Sequence, residues 1–155
     1  MRHANTDRTQ MDTDGDTFDD CDNQRNLSAE GREQAKRIGL IIQKLRIPIG
    51  TVLSSPYCRT KETAKLAFGQ FGVVSKLQYS FTKNSEEFKR LGADLLTMMK
   101  KTEAEEKNDV FVGHSANLKD GLGVWPKPEG VLVVFKKSGE DIIFKGMIQP
   151  DEWPK

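Results

Sequence analysis

Amphipathic helical segments alternate with short apolar runs through the middle of the chain, and this alternation restricts the fold more than any other feature. After Ser28, a good N-cap, apolar residues recur at helical spacing up to Pro48. Residues 51–54 and 110–112 are short apolar runs, typical of buried strands. Strands that alternate with helices predict an α/β fold, a three-layer αβα sandwich around a mostly parallel central sheet.

The same patterns predict the remaining elements. Residues 57–68 form a predicted helix that ends at Gly69, and residues 73–81 are weakly strand-like. Asn84 is the predicted N-cap of a further helix, with Glu87 placed as in a capping box. Residues 131–135 and 142–148 form a predicted closing hairpin. Residues 8–27 are predicted to form a solvated loop. A second, irregular loop is predicted around Gly121, Gly123, Pro126 and Pro128.

Size and charge favour a single domain, residues 1–155, without a global electrostatic field. The 24 basic and 23 acidic residues nearly cancel, so the composition predicts neither nucleic acid nor an anionic membrane as a partner.

No apolar stretch approaches the roughly 20 residues of a membrane-spanning helix, and no signal-peptide pattern opens the chain. The chain as given is expected to be cytoplasmic, while a lost upstream signal would make it periplasmic or secreted. The sequence does not determine its oligomeric state.

Cysteines and acidic residues give no metal signature. Cys21 and Cys58 lack metal-ligand spacing, and two free thiols are favoured over the alternative of one disulfide. Asp12, Asp14 and Asp16 suggest a calcium loop, but Thr17 and Asn23 stand where that loop needs glycine and glutamate. A solvated acidic loop is therefore the better interpretation, and no metal or cofactor is expected.

The only two histidines lie where a phosphoryl group would be bound. His114 follows the apolar run 110–112, and His3 follows Arg2 at the start of the chain. Arg59 lies just beyond residues 51–54. Because ligands of parallel sheets bind at the carboxyl ends of the strands, these four side chains are expected on one rim. Two imidazoles and two guanidiniums there predict a phosphoryl pocket.

Four motifs in this order resemble those of the histidine phosphatase superfamily, which has the phosphoglycerate mutase-like fold. Arg2-His3-Ala4 matches the opening Arg-His-Gly motif, with alanine in place of glycine. Residues 27–35 match Leu-Thr/Ser-x-x-Gly-x-x-Gln-Ala, and residues 54–64 match Ser-Ser-Pro-x-x-Arg-Thr-x-x-Thr-Ala. Residues 112–115 match the second histidine motif, Val-Gly-His-Ser/Asn. Among small members, the chain is most similar to phosphohistidine and lipopolysaccharide heptose phosphatases.

The resemblance implies a metal-independent phosphatase that hydrolyses a phosphomonoester or phosphoramidate through a phosphohistidine on His3. It implies that Arg2, Arg59 and His114 bind and stabilise the phosphoryl group, with Asn5 and Ser115 as further substrate-binding residues. A phosphorylated small molecule or a phosphoprotein would be the substrate. Two alternatives remain: a catalytically weak relative that binds phosphorylated ligands, and a phosphomutase.

The general acid is left open by the sequence. A leaving alkoxide usually needs a proton, whereas a phosphoramidate has a better leaving group. Two glutamates beyond the arginine-bearing helix and several loop aspartates are candidates, and none is favoured: Glu86, Glu87, Asp7, Asp16, Asp19 and Asp20.

The amino end departs from the family pattern. The resemblance places Arg2-His3 at the end of a central strand, with about five apolar residues before it, but only Met1 precedes this pair. A central strand bonds on both sides, so its truncation would expose two sheet edges. We therefore expect an upstream extension, or another segment or subunit, to supply that strand.

Overall fold

The computed structural model describes residues 1–13, 18–79, 84–102 and 106–154. The elements in chain order are α1 (Ala29–Lys44), β1 (Ile49–Ser54), α2 (Cys58–Phe68), β2 (Gly72–Val73), a 3₁₀ turn (Ser75–Leu77), α3 (Ser85–Lys100), β3 (Asn108–Val112), α4 (Ser115–Leu122), β4 (Leu132–Ser138) and β5 (Asp141–Ile148). None of the helices within these ranges is long and apolar enough to cross a membrane.

A small parallel sheet lies at the centre of the molecule. Its strand order is β2-β1-β3, with both outer strands parallel to β1, while β4 and β5 form an antiparallel hairpin. Helix α1 packs on α2, and α3 packs on α4. Buried isoleucines of α1, including Ile38 and Ile42, belong to a core cluster against which the sheet residues Ile49 and Val110 pack. This architecture is the predicted α/β fold, and the predicted closing hairpin is confirmed.

Both predicted helix caps are confirmed. The Ser28 hydroxyl accepts a hydrogen bond from the Gly31 amide at 3.0 Å and begins α1. The Asn84 side chain accepts one from the Glu87 amide at 2.9 Å and begins α3. Each bond satisfies a backbone donor that has no partner within the helix. Glu87 itself pairs with Arg90, so the expected capping box is only half formed.

Two elements differ from the sequence prediction. The strand expected over residues 73–81 is limited to Gly72–Val73, followed by the 3₁₀ turn; residues 80 and 81 lie outside the described ranges. Gly121, predicted in an irregular loop, belongs to α4. A Cβ at Gly92 would come within 2.7 Å of the Gly121 backbone nitrogen. The two glycines therefore let α3 and α4 approach closely. In a sequence, a glycine with this role looks the same as a glycine that marks a loop.

The cysteines are disulfide-bonded, so the expectation of two free thiols was wrong. Cys21 and Cys58 form one bridge with a Cα–Cα distance of 5.8 Å. The loop before α1 folds back onto the start of α2, where the Gln24 side chain accepts a hydrogen bond from the Cys58 amide at 2.9 Å. The cysteines are 37 residues apart in sequence, so only this tertiary contact brings them together.

The first three residues lie between the two sheets. The Met1 amino group donates to Phe111 O at 2.8 Å, and the Arg2 amide donates to Val131 O at 3.0 Å. Arg2 is bridged in parallel to Gly113, next to β3. Beyond Met1 a cavity of about 390 Å³ is lined by residues of both β3 and β4.

Joining about five apolar, strand-forming residues to Met1 is expected to stabilise the fold. An apolar extension would bury side chains in the cavity between β3 and β4. We expect it to raise the free energy of unfolding in urea by about 2–3 kcal/mol over a polar extension of equal length. Equal stability of the two extensions would contradict the prediction.

Candidate active site

The structure brings His3, Arg59 and His114 together in the interior, with exposed fractions of 3, 1 and 2%. His3 ends the segment that lies beside β3, and its amide donates to Gly113 O at 3.1 Å. His114 follows β3 directly, and Arg59 lies in the first turn of α2, beyond β1. The imidazole centroids of His3 and His114 are 5.5 Å apart. The carboxyl ends of adjacent parallel strands thus place these side chains on one rim.

The hydrogen bonding of His3 determines its tautomer. Nδ1 lies 3.0 Å from the Ala4 carbonyl oxygen, which can only accept, so Nδ1 carries the proton. Burial, and next the charge of Arg59, hold the pKa of His3 well below its usual 6.5, although the bond to Ala4 opposes the shift. His3 is therefore neutral at pH 7, and Nε2 keeps a free lone pair.

His114 is held by Ser55 within a group of aromatic rings. Its Nε2 lies 2.9 Å from the Ser55 hydroxyl. The rings of Tyr57 and Tyr79 lie 5.1 and 5.2 Å from the imidazole, centroid to centroid. Burial, followed by the charge of Arg59, keeps the pKa of His114 well below 6.5. His114 is thus neutral in the absence of substrate.

The two histidines are expected to make stability fall in acid. In the unfolded chain each titrates near its ordinary pKa of about 6.5, whereas in the folded chain the pKa is lowered. Below pH 6.5 the unfolded state therefore binds more protons than the folded state. The free energy of unfolding decreases as the pH falls towards the pKa values of the folded chain. The slope contributed by two such groups reaches about 2.7 kcal/mol per pH unit. Urea unfolding between pH 7 and 5 measures it.

The double variant His3→Asn/His114→Asn serves as the control for that experiment. It removes both titrating groups and keeps the carboxylates that also contribute to acid unfolding. We expect a clearly shallower pH dependence for the variant than for the parent chain. Parallel curves would show that the histidines do not titrate as the burial implies.

Arg59 and Arg2 are anchored from opposite sides of the site. Arg59 donates to the Asp12 carboxylate at 2.7 Å, and its guanidinium lies 4.4 Å from the centre of the Tyr57 ring. Arg2 donates to the Glu129 carboxylate and to the Pro126 carbonyl, both at 3.2 Å. These partners hold each guanidinium in one orientation, although neither uses all five of its donors.

Four buried nitrogens of residues in or beside the site have no hydrogen-bond partner among the described residues: Arg2 Nε, Arg25 Nε, Arg59 Nε and His114 Nδ1. An unsatisfied buried donor costs about 1–3 kcal/mol. Three arginines with unused donors suit an anion with several oxygens.

Sequence reasoning missed Arg25 and Glu129. Arg25 lies in the stretch interpreted as a solvated acidic loop, yet its charge contributes to the lowered pKa of both histidines. Glu129 is buried, accepts from the Thr6 amide at 2.9 Å and lies 3.9 Å from the Arg25 guanidinium. The position of Arg25, two residues before the motif that begins at Leu27, was the available signal. Nothing local marked Glu129.

The two further substrate-binding candidates have different positions. Ser115 begins α4 and lines a cavity together with Arg2. Asn5 holds α1 through its backbone: its carbonyl accepts from the Ser28 amide at 3.1 Å, and its amide donates to Gln34 at 3.0 Å. The structure therefore places Ser115 beside Arg2, and the substrate contacts expected of Ser115 and Asn5 stay predictions.

Most candidate general acids are engaged elsewhere. The Asp7 carboxylate accepts from Thr9, and Asp20 accepts from the Asn23 side chain. Glu87 pairs with Arg90, Glu86 and Asp19 are exposed, and Asp16 lies outside the described residues. Instead the structure brings Asp12 to the site, through its bond to Arg59. Within the described ranges, no group of three or more His, Cys, Asp or Glu side chains lies together as a metal site.

The fold is α/β, and its site gathers two imidazoles and an arginine at the carboxyl ends of the strands. The sequence model of the histidine phosphatase superfamily (branch 1) matches residues 1–119. The chain therefore belongs to that superfamily and is a phosphatase. No curated protein sequence matches it.

Solved structures show the same fold at low sequence identity. A mutant phosphoserine phosphatase from Entamoeba histolytica, in complex with phosphoserine, is 15% identical with a TM-score of 0.71. The protein histidine phosphatase SixA, complexed with tungstate, is 16% identical with a TM-score of 0.64. A candidate α-ribazole-5′-P phosphatase from Escherichia coli is 12% identical with a TM-score of 0.76. Each alignment covers 97% of this chain and 95% of the other.

Proposed function

We propose that the protein is a metal-independent phosphatase that acts through a phosphohistidine on His3. The hydrogen bond from His3 Nδ1 to the Ala4 carbonyl carries this proposal, because it leaves Nε2 as the free base. The lowered pKa keeps that base unprotonated at neutral pH. A neutral, oriented imidazole beside buried guanidinium donors is the arrangement that nucleophilic attack on phosphorus requires.

The proposed reaction has two steps. The lone pair of His3 Nε2 attacks phosphorus as the bond to the leaving-group oxygen or nitrogen breaks, and that atom takes a proton from solvent. Water then attacks the phosphohistidine, its proton is lost to solvent, the P–N bond breaks, and inorganic phosphate leaves. Arg2 and Arg59 bind the phosphoryl oxygens in both steps, and substrate displaces the Asp12 carboxylate from Arg59.

His114 is proposed to stabilise the developing charge. In the tautomer that accepts from the Ser55 hydroxyl at Nε2, the proton is on Nδ1, the nitrogen without a partner. That N–H can donate to a phosphoryl oxygen. A dianionic substrate also opposes the effect of the arginines and so favours protonation of His114. The proposal assigns no carboxylate as general acid, which suits a phosphoramidate better than an alkyl ester.

A second candidate function is binding of phosphorylated ligands without efficient turnover. The engagement of the candidate carboxylates favours it: Asp7, Asp20 and Glu87 bond to other residues and Asp12 pairs with Arg59, so turnover has no assigned proton donor among them. Phosphate inhibition cannot distinguish the two functions, since both bind phosphate.

Turnover of p-nitrophenyl phosphate in EDTA tests the proposal. We expect phosphate release without added metal, and a phosphoenzyme after rapid acid or alkaline quench with radiolabelled substrate. Alkali preserves phosphohistidine and acid destroys it, so label that survives only alkali supports His3 as the nucleophile. A folded chain that binds phosphate and releases no product would support the binding function instead.

A further inference from the structure

A second cavity opens beside the phosphoryl site. Its volume is about 390 Å³, within the range of pockets for small organic molecules. Arg2, Arg8, Arg25, Tyr79, Trp125 and Glu129 are among the residues that line it. Arg2 belongs to both sites, and Ser115, which also lines this cavity, directly follows His114. A molecule with its phosphate at His3 would therefore extend into this cavity, hereafter the outer cleft.

The outer cleft has a surplus of positive charge. Three arginines and one carboxylate line it. That carboxylate, Glu129, already pairs with Arg2 at 3.2 Å and lies 3.9 Å from Arg25. Arg8 is exposed and makes no ion pair within the described part of the chain. Since the whole chain has a net charge of only +1, this surplus is a local feature that attracts anions.

Trp125 holds two further cations at the cleft. The Lys119 ammonium lies 4.8 Å from the centre of a Trp125 ring, and that of Lys127 lies 5.4 Å away. The indole is partly exposed, with a fraction of 39%. Cation–π contacts keep both ammonium groups close to one wall of the cleft. Arg8, Lys119 and Lys127 thus supply three positive charges beyond those that the transferred phosphoryl group engages.

We propose that the outer cleft binds a second anionic group on the leaving-group side of the substrate. The substrate would then be a small organic molecule with a second phosphate besides the one that is hydrolysed. This inference rests on the proposed phosphatase function. A second phosphate fits better than a neutral group because it satisfies guanidinium and ammonium donors together. A volume of about 390 Å³ is that of a pocket for a small molecule, and this size favours a small substrate over a protein segment.

Fructose 6-phosphate and fructose 1,6-bisphosphate are a matched pair of probes for this proposal. We expect kcat/KM to be about tenfold or more higher for the bisphosphate, with a preference that decreases as ionic strength rises. Arg8→Gln and the double variant Lys119→Gln/Lys127→Gln should each reduce that preference several-fold. Lys145→Gln, which removes one exposed charge from β5, is the matched control and should retain it.

The outcomes separate this inference from the proposed function. Equal kcat/KM for the two sugars, or a preference that Arg8→Gln leaves unchanged, would overturn the second-anion site while p-nitrophenyl phosphate turnover stands. Higher kcat/KM for an acidic phosphoserine peptide than for the bisphosphate would also overturn it. If no substrate is turned over, titration calorimetry tests the cleft by binding alone. Tighter binding of the bisphosphate than of the monophosphate, reduced by Arg8→Gln, would support the second-anion site and refute only the proposed catalysis. Equal binding of the two sugars would refute the site as well.

Discussion

His3→Ala is expected to lower kcat for p-nitrophenyl phosphate by at least about 10⁴-fold, as removal of an essential nucleophile does in other enzymes. The imidazole is the group proposed to bond to phosphorus, and its neutral Nε2 cannot be replaced by the methyl group of alanine. The change removes a side chain that is 3% exposed, so some stability is lost as well. Circular dichroism and urea unfolding must show that the variant is folded before its kcat is compared.

His114→Ala is the matched control for that experiment. It removes a second buried imidazole from the same site, 5.5 Å away between centroids, and leaves the proposed nucleophile. We expect it to lower kcat by about 10²–10³-fold, the usual effect of losing one charge-stabilising donor, and to retain a labelled phosphoenzyme. Turnover by His3→Ala within tenfold of the parent chain would refute nucleophilic catalysis by His3.

Loss of the Cys21–Cys58 disulfide is expected to destabilise the fold by about 4 kcal/mol. The bridge closes a loop between cysteines 37 residues apart, and the chain-entropy relation gives this value for such a loop. The double variant Cys21→Ser/Cys58→Ser, unfolded in urea beside the parent chain, measures it. Function should also suffer, because the bridged loop brings Arg25 close to Glu129 and Arg2.

A reductant distinguishes the bridge from the side chains that form it. Dithiothreitol should lower the free energy of unfolding of the parent chain by a similar amount and leave the double variant unchanged. A parent chain that loses less than about 1 kcal/mol on full reduction would show that contacts such as Gln24 with Cys58 hold the loop without the bridge.

Much of the fold could be predicted because its signals are local. The caps at Ser28 and Asn84 depend on residues within one helical turn, and the structure has both. The close packing of Gly92 against Gly121 joins two helices, so the sequence around Gly121 suggested a loop where α4 lies. A glycine needed for helix contact and one needed for a turn look alike in a sequence.

The sequence by itself determined the α/β fold, because local periodicity and caps mark its alternating helices and strands. It also determined the family and the positions of Arg2, His3, Arg59 and His114, because these depend on short motifs at strand ends. The tertiary structure alone decided the disulfide, the role of the acidic loop and the convergence of Arg25 and Glu129 on the site. Those contacts join residues far apart in the chain. Which residues come into contact depends on how the loops fold over the sheet, and no local pattern in the sequence predicts it.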